Sequence, residues 1–253
     1  MFVKTRRVLR NWPIVFVENH LTTGNRLEYK LKNGPRFLVR TRTQDAWVIY
    51  SVYAEKCYLA EDMKIGENDT VVDVGAHIGA FSLFASLHAT RGRVFAVEPE
   101  PESFQMLEHN IQINNARNLV PLRMAISGRT EPRILHLSGS SLEHSIVSGA
   151  FDGPTHGETE VQSVSLKDFM NRQYIPTIDF LKLNCEGAEY EILFGSDDET
   201  LRRINGLVVQ YHDIGPGKDE RAMREFLTEK GFKILPFCPK GYRMIFAKRM
   251  RSQ

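Results

Sequence analysis

From residue 70 onward, short apolar runs rich in β-branched residues alternate with stretches whose apolar residues recur every three or four positions. The runs 70–74, 93–97, 120–126, 180–183 and 207–211 predict strands. Between them, 81–87, 101–115, a segment opening at Ser165 and a segment through Ile192 and Leu193 predict helices. The helix over 101–115 has Pro101 in its first turn, Glu102 near its start, and Phe104, Leu107 and Ile111 on one face. Ser165 and Asp168 have capping-box spacing, and Gly195 stops the helix that follows the fourth strand. An amphipathic helix over 220–230 carries Met223, Phe226 and Leu227 and stops at Gly231. The runs 232–235 and 242–247, with Pro239 and Gly241 between them, predict a closing antiparallel pair. Such alternation predicts an α/β, Rossmann-like sheet, mainly parallel with an antiparallel C-terminal strand and helices on both faces. Ahead of it, 26–31, 36–39 and 47–52, with a turn at Asn33-Gly34-Pro35, read as strand material. The expected organisation is an N-terminal β/α extension over 1–65 and a Rossmann-like domain over 66–253.

Composition narrows the class. The chain has 253 residues, 42% of them hydrophobic, which suffices for a sizeable core and excludes wholesale disorder. No stretch reaches the ~18 uninterrupted apolar residues of a membrane-spanning helix. The run 12–17 is too short and too proline-broken for a signal h-region. Cys57, Cys185 and Cys238 are odd in number and widely spaced, which suggests neither a disulfide framework nor a zinc site. They fit a reducing compartment, so a cytoplasmic location is expected. Of the 33 basic residues, four lie in 1–10 and five in 240–253, leaving 24 against 31 acids in the body between. That balance does not suggest nucleic-acid binding through the main body; the basic ends read as solvated termini ahead of the alternative, contact with an anionic membrane surface or a polyanion.

Ligands of doubly wound sheets bind beyond the carboxyl ends of the strands, where strand order reverses. The first strand ends Asp73-Val-Gly75-Ala-His77-Ile78-Gly79. Gly75 permits a sharp turn and close approach of a ligand, and Gly79 permits tight packing of the helix start. Asp73 is a candidate holder of an ammonium group. The second strand ends at Glu98-Pro99, where nucleoside-binding folds grip a ribose diol. A dinucleotide fingerprint needs a glycine where His77 stands, so a nicotinamide-dependent oxidoreductase is disfavoured. A nucleoside with a compact tail, such as S-adenosylmethionine, fits better. The fourth strand ends Asn184-Cys185-Glu186-Gly187-Ala-Glu189, which places Glu186 near the transferable methyl. For Glu189, a helix first-turn acid and a functional acid are equal readings. His212, after the fifth strand, is a candidate proton acceptor. The other histidines, His144 among them, read as surface or loop residues. The Ser- and Gly-rich stretch 136–160 reads equally as a lid or substrate loop and as a floppy insertion.

Over roughly residues 45 to 235 the chain resembles the FkbM-type family of S-adenosylmethionine-dependent class I methyltransferases. The likeness rests on Tyr58, Val72-Asp-Val-Gly-Ala-His-Ile-Gly79, Glu98-Pro99, Ser140-Ser141-Leu142, Lys182-Leu-Asn-Cys-Glu-Gly-Ala-Glu189 and Gln210-Tyr-His212. It departs from the family where His77 replaces Asn, Asn184 replaces Asp and Gln210 replaces Glu. The resemblance implies methyl transfer to a hydroxyl of a small molecule: a sugar, a glycolipid or a polyketide-like natural product. It also implies a cofactor site of Asp73, Gly75, His77, Ile78, Gly79, Glu98, Pro99, Ala125, Ser141 and Asn184. Glu186, His212 and Asn184 are the candidate catalytic residues. Neither a nucleic-acid partner nor a protein metal site is expected, and assistance by Mg²⁺ is left open. The lost charges at positions 184 and 210 keep a catalytically impaired cofactor-binding protein as the alternative.

Overall fold

The computed structural model describes residues 6–18, 20, 25–150, 154–236 and 241–250; Lys4, Cys238 and the turn residue Pro239 lie outside them. The chain enters through a short helix α1 (Ile14–Glu18) and an antiparallel hairpin, β1 (Arg26–Lys30) with β2 (Arg36–Arg40), in which Tyr29 faces Phe37. Residues 47–52, expected as a strand, lie instead within helix α2 (Asp45–Tyr53). The β-branched content misleads there: Ala46, Ile49 and Val52 are buried at intervals of three, a helical period that packs them on one face.

The alternating region follows. Strand β3 (Thr70–Val74), helix α3 (Ala80–His88), strand β4 (Arg93–Val97), helix α4 (Pro101–Asn114) and strand β5 (Leu119–Leu122) form the first half. The expected single strand 120–126 divides at Arg123: β5 stays in the main sheet and β6 (Ala125–Ser127) leaves it. Pro121 is tolerated because β5 is the edge strand. The Ser- and Gly-rich stretch is flanked by β7 (Arg133–Leu137) paired with β8 (Gly157–Val161), and β9 (Ser163–Ser165) pairs with β6. Helix α5 (Leu166–Arg172) starts at Ser165, whose hydroxyl accepts from Asp168 N. Then come β10 (Phe180–Leu183), α6 (Ala188–Phe194), α7 (Asp198–Arg202), β11 (Gly206–Gln210), α8 (Glu220–Glu229), β12 (Phe232–Ile234) and β13 (Met244–Arg249).

The main sheet has the order β12-β13-β11-β10-β3-β4-β5. Neighbours from β11 to β5 are parallel, and β13 is antiparallel to both β11 and β12. Alternate residues of each strand feed opposite faces, as the two-residue period requires. Val71, Phe180 and Val208 enter one core, while Val72, Leu181 and Val209 enter the other. The first core also contains Tyr29, Phe37, Val39, Ile49 and Val52. The N-terminal hairpin and α2 therefore share a core with the sheet rather than building their own. Asn110 of α4 fastens them further: its Oδ1 accepts from Leu38 N at 2.7 Å, and its Nδ2 donates to Ile78 O at 3.0 Å. From β3 the chain runs outward to β4 and β5, then crosses back to β10 on the other side. The strand order thus reverses between β3 and β10.

Candidate active site

A cleft of about 630 Å³ opens at that reversal, beyond the carboxyl ends of β3, β4 and β10. Gly75 forms its sharpest feature. The residue has φ 77°, and a Cβ on it would lie 1.9 Å from Asn184 O. Glycine is therefore required by the crossing of two backbones as well as by the turn. Gly79, with φ 86°, precedes α3, and a Cβ there would lie 2.5 Å from Leu107 Cδ1. Ile78 is wholly buried in the first core. Neither residue, both expected in the cofactor site, is on the wall of the cleft; the close contact with Leu107 fits the packing role expected of Gly79.

Asp73 needs a larger correction. It is fully buried beneath the turn, where Lys182 Nζ donates to it at 2.6 Å and Ser82 Oγ at 2.6 Å. Lys182 Nζ also donates to Gly75 O at 2.8 Å. The carboxylate neutralises an internal ammonium, and it is not on the cleft wall to receive one from a ligand.

Glu98 stands on the wall as expected, with Pro99 beside it. Its Oε2 accepts from His77 N at 2.7 Å and its Oε1 from Glu100 N at 2.9 Å. Each oxygen keeps lone-pair capacity for one further donor, the requirement for gripping a vicinal diol. Burial pushes its pKa up to about 7, against the pull of those two N–H bonds. Behind Glu98 the wall is apolar, made by Met124, Ala125, Ile126 and Leu135. The stretch after β7 completes the wall with Ser141, Leu142 and His144. His144 Nδ1 accepts from Ser138 N at 3.2 Å, and burial lowers its pKa, so a neutral ring carries its proton on Nε2.

His77 is neutral too: burial and the Arg40 charge outweigh the attraction of Asp45 and bring its pKa to about 4. Arg40 Nη2 lies 2.9 Å from His77 Nε2 and can only donate, so Nε2 accepts and Nδ1 carries the proton. Arg40 in turn binds Asp45 through Nε at 3.1 Å and Nη2 at 2.9 Å. The N-terminal segment thereby holds the turn after β3. It also holds the stretch after β7, since Gln44 N donates to Ser141 Oγ at 3.2 Å.

A second cleft of about 890 Å³ adjoins the first and shares Gly75, His77, Leu142, Asn184 and Glu186 with it. Its outer wall carries Trp47 and Tyr242, whose rings stack with centroids 5.9 Å apart. At its base Asn184 Nδ2 donates to Tyr58 OH at 3.4 Å, and that hydroxyl donates to Gln210 Oε1 at 3.4 Å. Asn184 Oδ1 is buried at the junction with no hydrogen-bond partner among the described residues. An unpaired buried acceptor at this junction has room to take a further donor. Glu186 has φ 51°, an uncommon conformation for a residue with a side chain, and its carbonyl accepts from Ser145 Oγ at 2.5 Å.

His212 also lies at the second cleft, but its expected role is corrected. Its Nδ1 is 2.6 Å from Glu189 Oε1 and its Nε2 is 3.2 Å from Glu186 Oε2. Burial opposes the charge, but the bonds to both glutamates outweigh it and lift the pKa to about 10. An imidazolium at neutral pH has no lone pair with which to take a proton. Among the described residues, no group of three His, Cys, Asp or Glu is arranged to hold a metal ion.

The structure thus brings Gly75, His77, Glu98, Pro99, Ala125, Ser141, Asn184 and Glu186 to one cleft, with His212 on the adjoining one, and leaves Asp73, Ile78 and Gly79 behind the wall. Arg40, Asp45 and His144 escaped the sequence reading. Arg40 and Asp45 lie far from the turn they hold, and His144 has no ligand spacing in a Ser- and Gly-rich stretch.

The sheet order and the carboxylate-bearing cleft at its switch point define a class I methyltransferase fold. The comparisons agree: the Methyltransferase FkbM domain matches residues 73–234. The chain belongs to the FkbM family of S-adenosylmethionine-dependent methyltransferases. It is 27% identical over 241 residues to Methyltransferase sdnD of Sordaria araneosa, covering 81% of this chain and 90% of that one. It is 28% identical to 31-O-demethyl-FK506 methyltransferase FkbM of Streptomyces tacrolimicus, over 73% of this chain and 81% of the relative. It is 26% identical to Hexuronic acid methyltransferase AglP of Haloferax volcanii, over 77% and 76%. Among solved structures, the Methanococcus jannaschii fibrillarin pre-rRNA processing protein aligns at a TM-score of 0.49 and 14% identity over 92% of this chain and 97% of that one. No helix among the described residues is long and apolar enough to cross a membrane.

Proposed function

We propose that the protein methylates a hydroxyl oxygen of a sugar or other natural-product small molecule. The observation that carries this reading is the junction of two clefts at Asn184 and Glu186, one walled by Glu98 and an apolar face, the other open to solvent past Trp47. The residues of the first cleft fit S-adenosylmethionine: Glu98 for the ribose hydroxyls, Met124 to Ile126 and Leu135 against the adenine, and the orphaned Asn184 Oδ1 toward the tail. When bound, the cofactor supplies an electrophilic methyl on a sulfonium. The protein's own task is alignment and proton removal. Glu186 Oε2 is held by His212, which leaves Oε1 to accept the acceptor's hydroxyl proton. Glu186 Oε1 would take the proton that the acceptor's hydroxyl gives up on methylation and pass it to solvent through the second cleft. The name of the FkbM relative specifies methylation at an oxygen of a natural product, and that of AglP a sugar acid as acceptor.

Calorimetry with S-adenosylhomocysteine tests the donor half. Wild type is expected to bind, and Glu98→Ala to bind at least about tenfold more weakly, the cost of losing hydrogen bonds to a charged group. No binding by wild type would overturn the reading. The pH dependence has a definite sign. Ribose hydroxyls donate to the ionised carboxylate, and Glu98 titrates near 7, so affinity rises with pH. Between about pH 6 and about pH 8 the ionised fraction grows about tenfold, and affinity is expected to follow it, flattening in Glu98→Gln. Release of S-adenosylhomocysteine with a hexuronic acid or a polyketide alcohol as probe tests the acceptor half. Binding without turnover on any hydroxyl acceptor would favour a cofactor-binding protein, the reading that Asn184 and Gln210, both engaged by Tyr58, keep alive.

A further inference from the structure

Glu189 is the one ionised side chain of the fourth-strand motif that does not reach either cleft. It is fully buried, and its contacts exceed what a helix first-turn acid needs. One oxygen, Oε2, accepts from Gly187 N at 2.9 Å, which is an ordinary helix-start contact, and lies 3.6 Å from Cys185 Sγ. The other, Oε1, is taken entirely by His212: by its backbone N at 3.0 Å and by its ring Nδ1 at 2.6 Å. A carboxylate that holds one residue by both main chain and ring leaves that ring no rotation. With Nδ1 fixed, Nε2 can face only Glu186 Oε2, at 3.2 Å. We propose that Glu189 is a positioning residue for methyl transfer, acting through the His212 ring to hold Glu186 at the junction of the two clefts. This rests on the reading of Glu186 as the group that receives the acceptor's proton.

The surroundings of His212 support the assignment. The charged groups bonded to it are Glu186, just before α6, and Glu189 on α6. Lys182 of β10 and Glu143 of the stretch after β7 share the cleft, but Lys182 is paired with Asp73. Asp213, next in the chain, is paired with Arg243. The two glutamates therefore set the state of the ring, and Glu189 is the more closely placed and the fully buried one.

Glu189→Gln tests this, because it keeps size and an acceptor oxygen while removing the charge. The ring nitrogens of His212, followed by NMR, are expected to titrate near 10 in wild type and to move toward 6.5 in the variant. S-adenosylhomocysteine affinity is expected to stay within about twofold, while kcat falls by up to about 10²-fold with little change in the acceptor's KM, the effect of a displaced reacting group. In a His212→Asn background, Glu189→Gln is expected to add almost nothing, because both act on the same contact. A wild-type ring titrating near 6.5, an unmoved titration in a folded variant, or equal losses in both backgrounds would each overturn the proposal. The wild-type titration needs no variant to fold. Failure of S-adenosylhomocysteine to bind wild type would instead sink the methyltransferase reading and leave the titration result standing as the test of placement.

Discussion

Gly75→Ala is expected to destabilise the protein by about 3–5 kcal/mol and to lower Tm by roughly 10 °C. The added Cβ would sit 1.9 Å from Asn184 O, inside any permissible contact. Relief by movement is blocked on several sides. Gly75 N donates to Val97 O at 3.0 Å, Gly75 O accepts from Lys182 Nζ, and Asn184 N donates to Val74 O at 3.1 Å. A shift of the turn breaks bonds in three neighbouring strands at once. Gly149→Ala separates the two possible reasons for glycine. Its φ of 74° nearly equals the 77° of Gly75, but nothing lies within 4 Å of its would-be Cβ. That variant should lose only the left-handed penalty, about 1–2 kcal/mol. Thermal unfolding of the two variants decides: equal losses would show that backbone conformation alone, and not the crossing of β3 and β10, demands glycine at position 75.

The crossing explains which parts of the site could be read along the chain. Strand ends announce themselves through an apolar run followed by a polar residue or glycine, so Gly75, Glu98, Asn184 and Glu186 were legible, and all four line the cleft. What a side chain does once there depends on partners from other strands. Asp73 reads as a ligand-facing acid until Lys182, more than a hundred residues later, is found beside it. His212 reads as a free base until two glutamates are found on its two nitrogens. Arg40 and Asp45 gave no local signal, because a salt bridge at the end of a hairpin looks like ordinary surface charge. Secondary structure failed where burial was two-sided or slight. The stretch 47–52 offers β-branched residues to any strand template, and only the burial of Ala46, Ile49 and Val52 shows the helical period. Strand β8 alternates half-buried and exposed positions and carries Glu158 and Glu160, so its charges hid it in a stretch read as a loop.

Lys182→Met is expected to cost about 3–5 kcal/mol, because it strands the buried Asp73 carboxylate without its charged partner. Lys182 is 3% exposed and Asp73 wholly buried, so neither solvent nor salt can replace the missing partner. Ser82 Oγ remains as a donor to Asp73 but carries no charge. Adding Asp73→Asn removes the uncompensated charge while keeping an acceptor for Ser82, so the double variant should be more stable than Lys182→Met alone by about 2 kcal/mol. The double variant should still bind S-adenosylhomocysteine more weakly than wild type, because Gly75 O loses its donor and the turn that lines both clefts loses one of its ties to β10. Urea unfolding at neutral pH measures the first effect and calorimetry the second. Lys182 also lies 5.2 Å from the centre of the Tyr58 ring, and its stem fills space there. If the double variant is no more stable than the single one, lost packing against Tyr58, and not a stranded carboxylate, is what the lysine prevents.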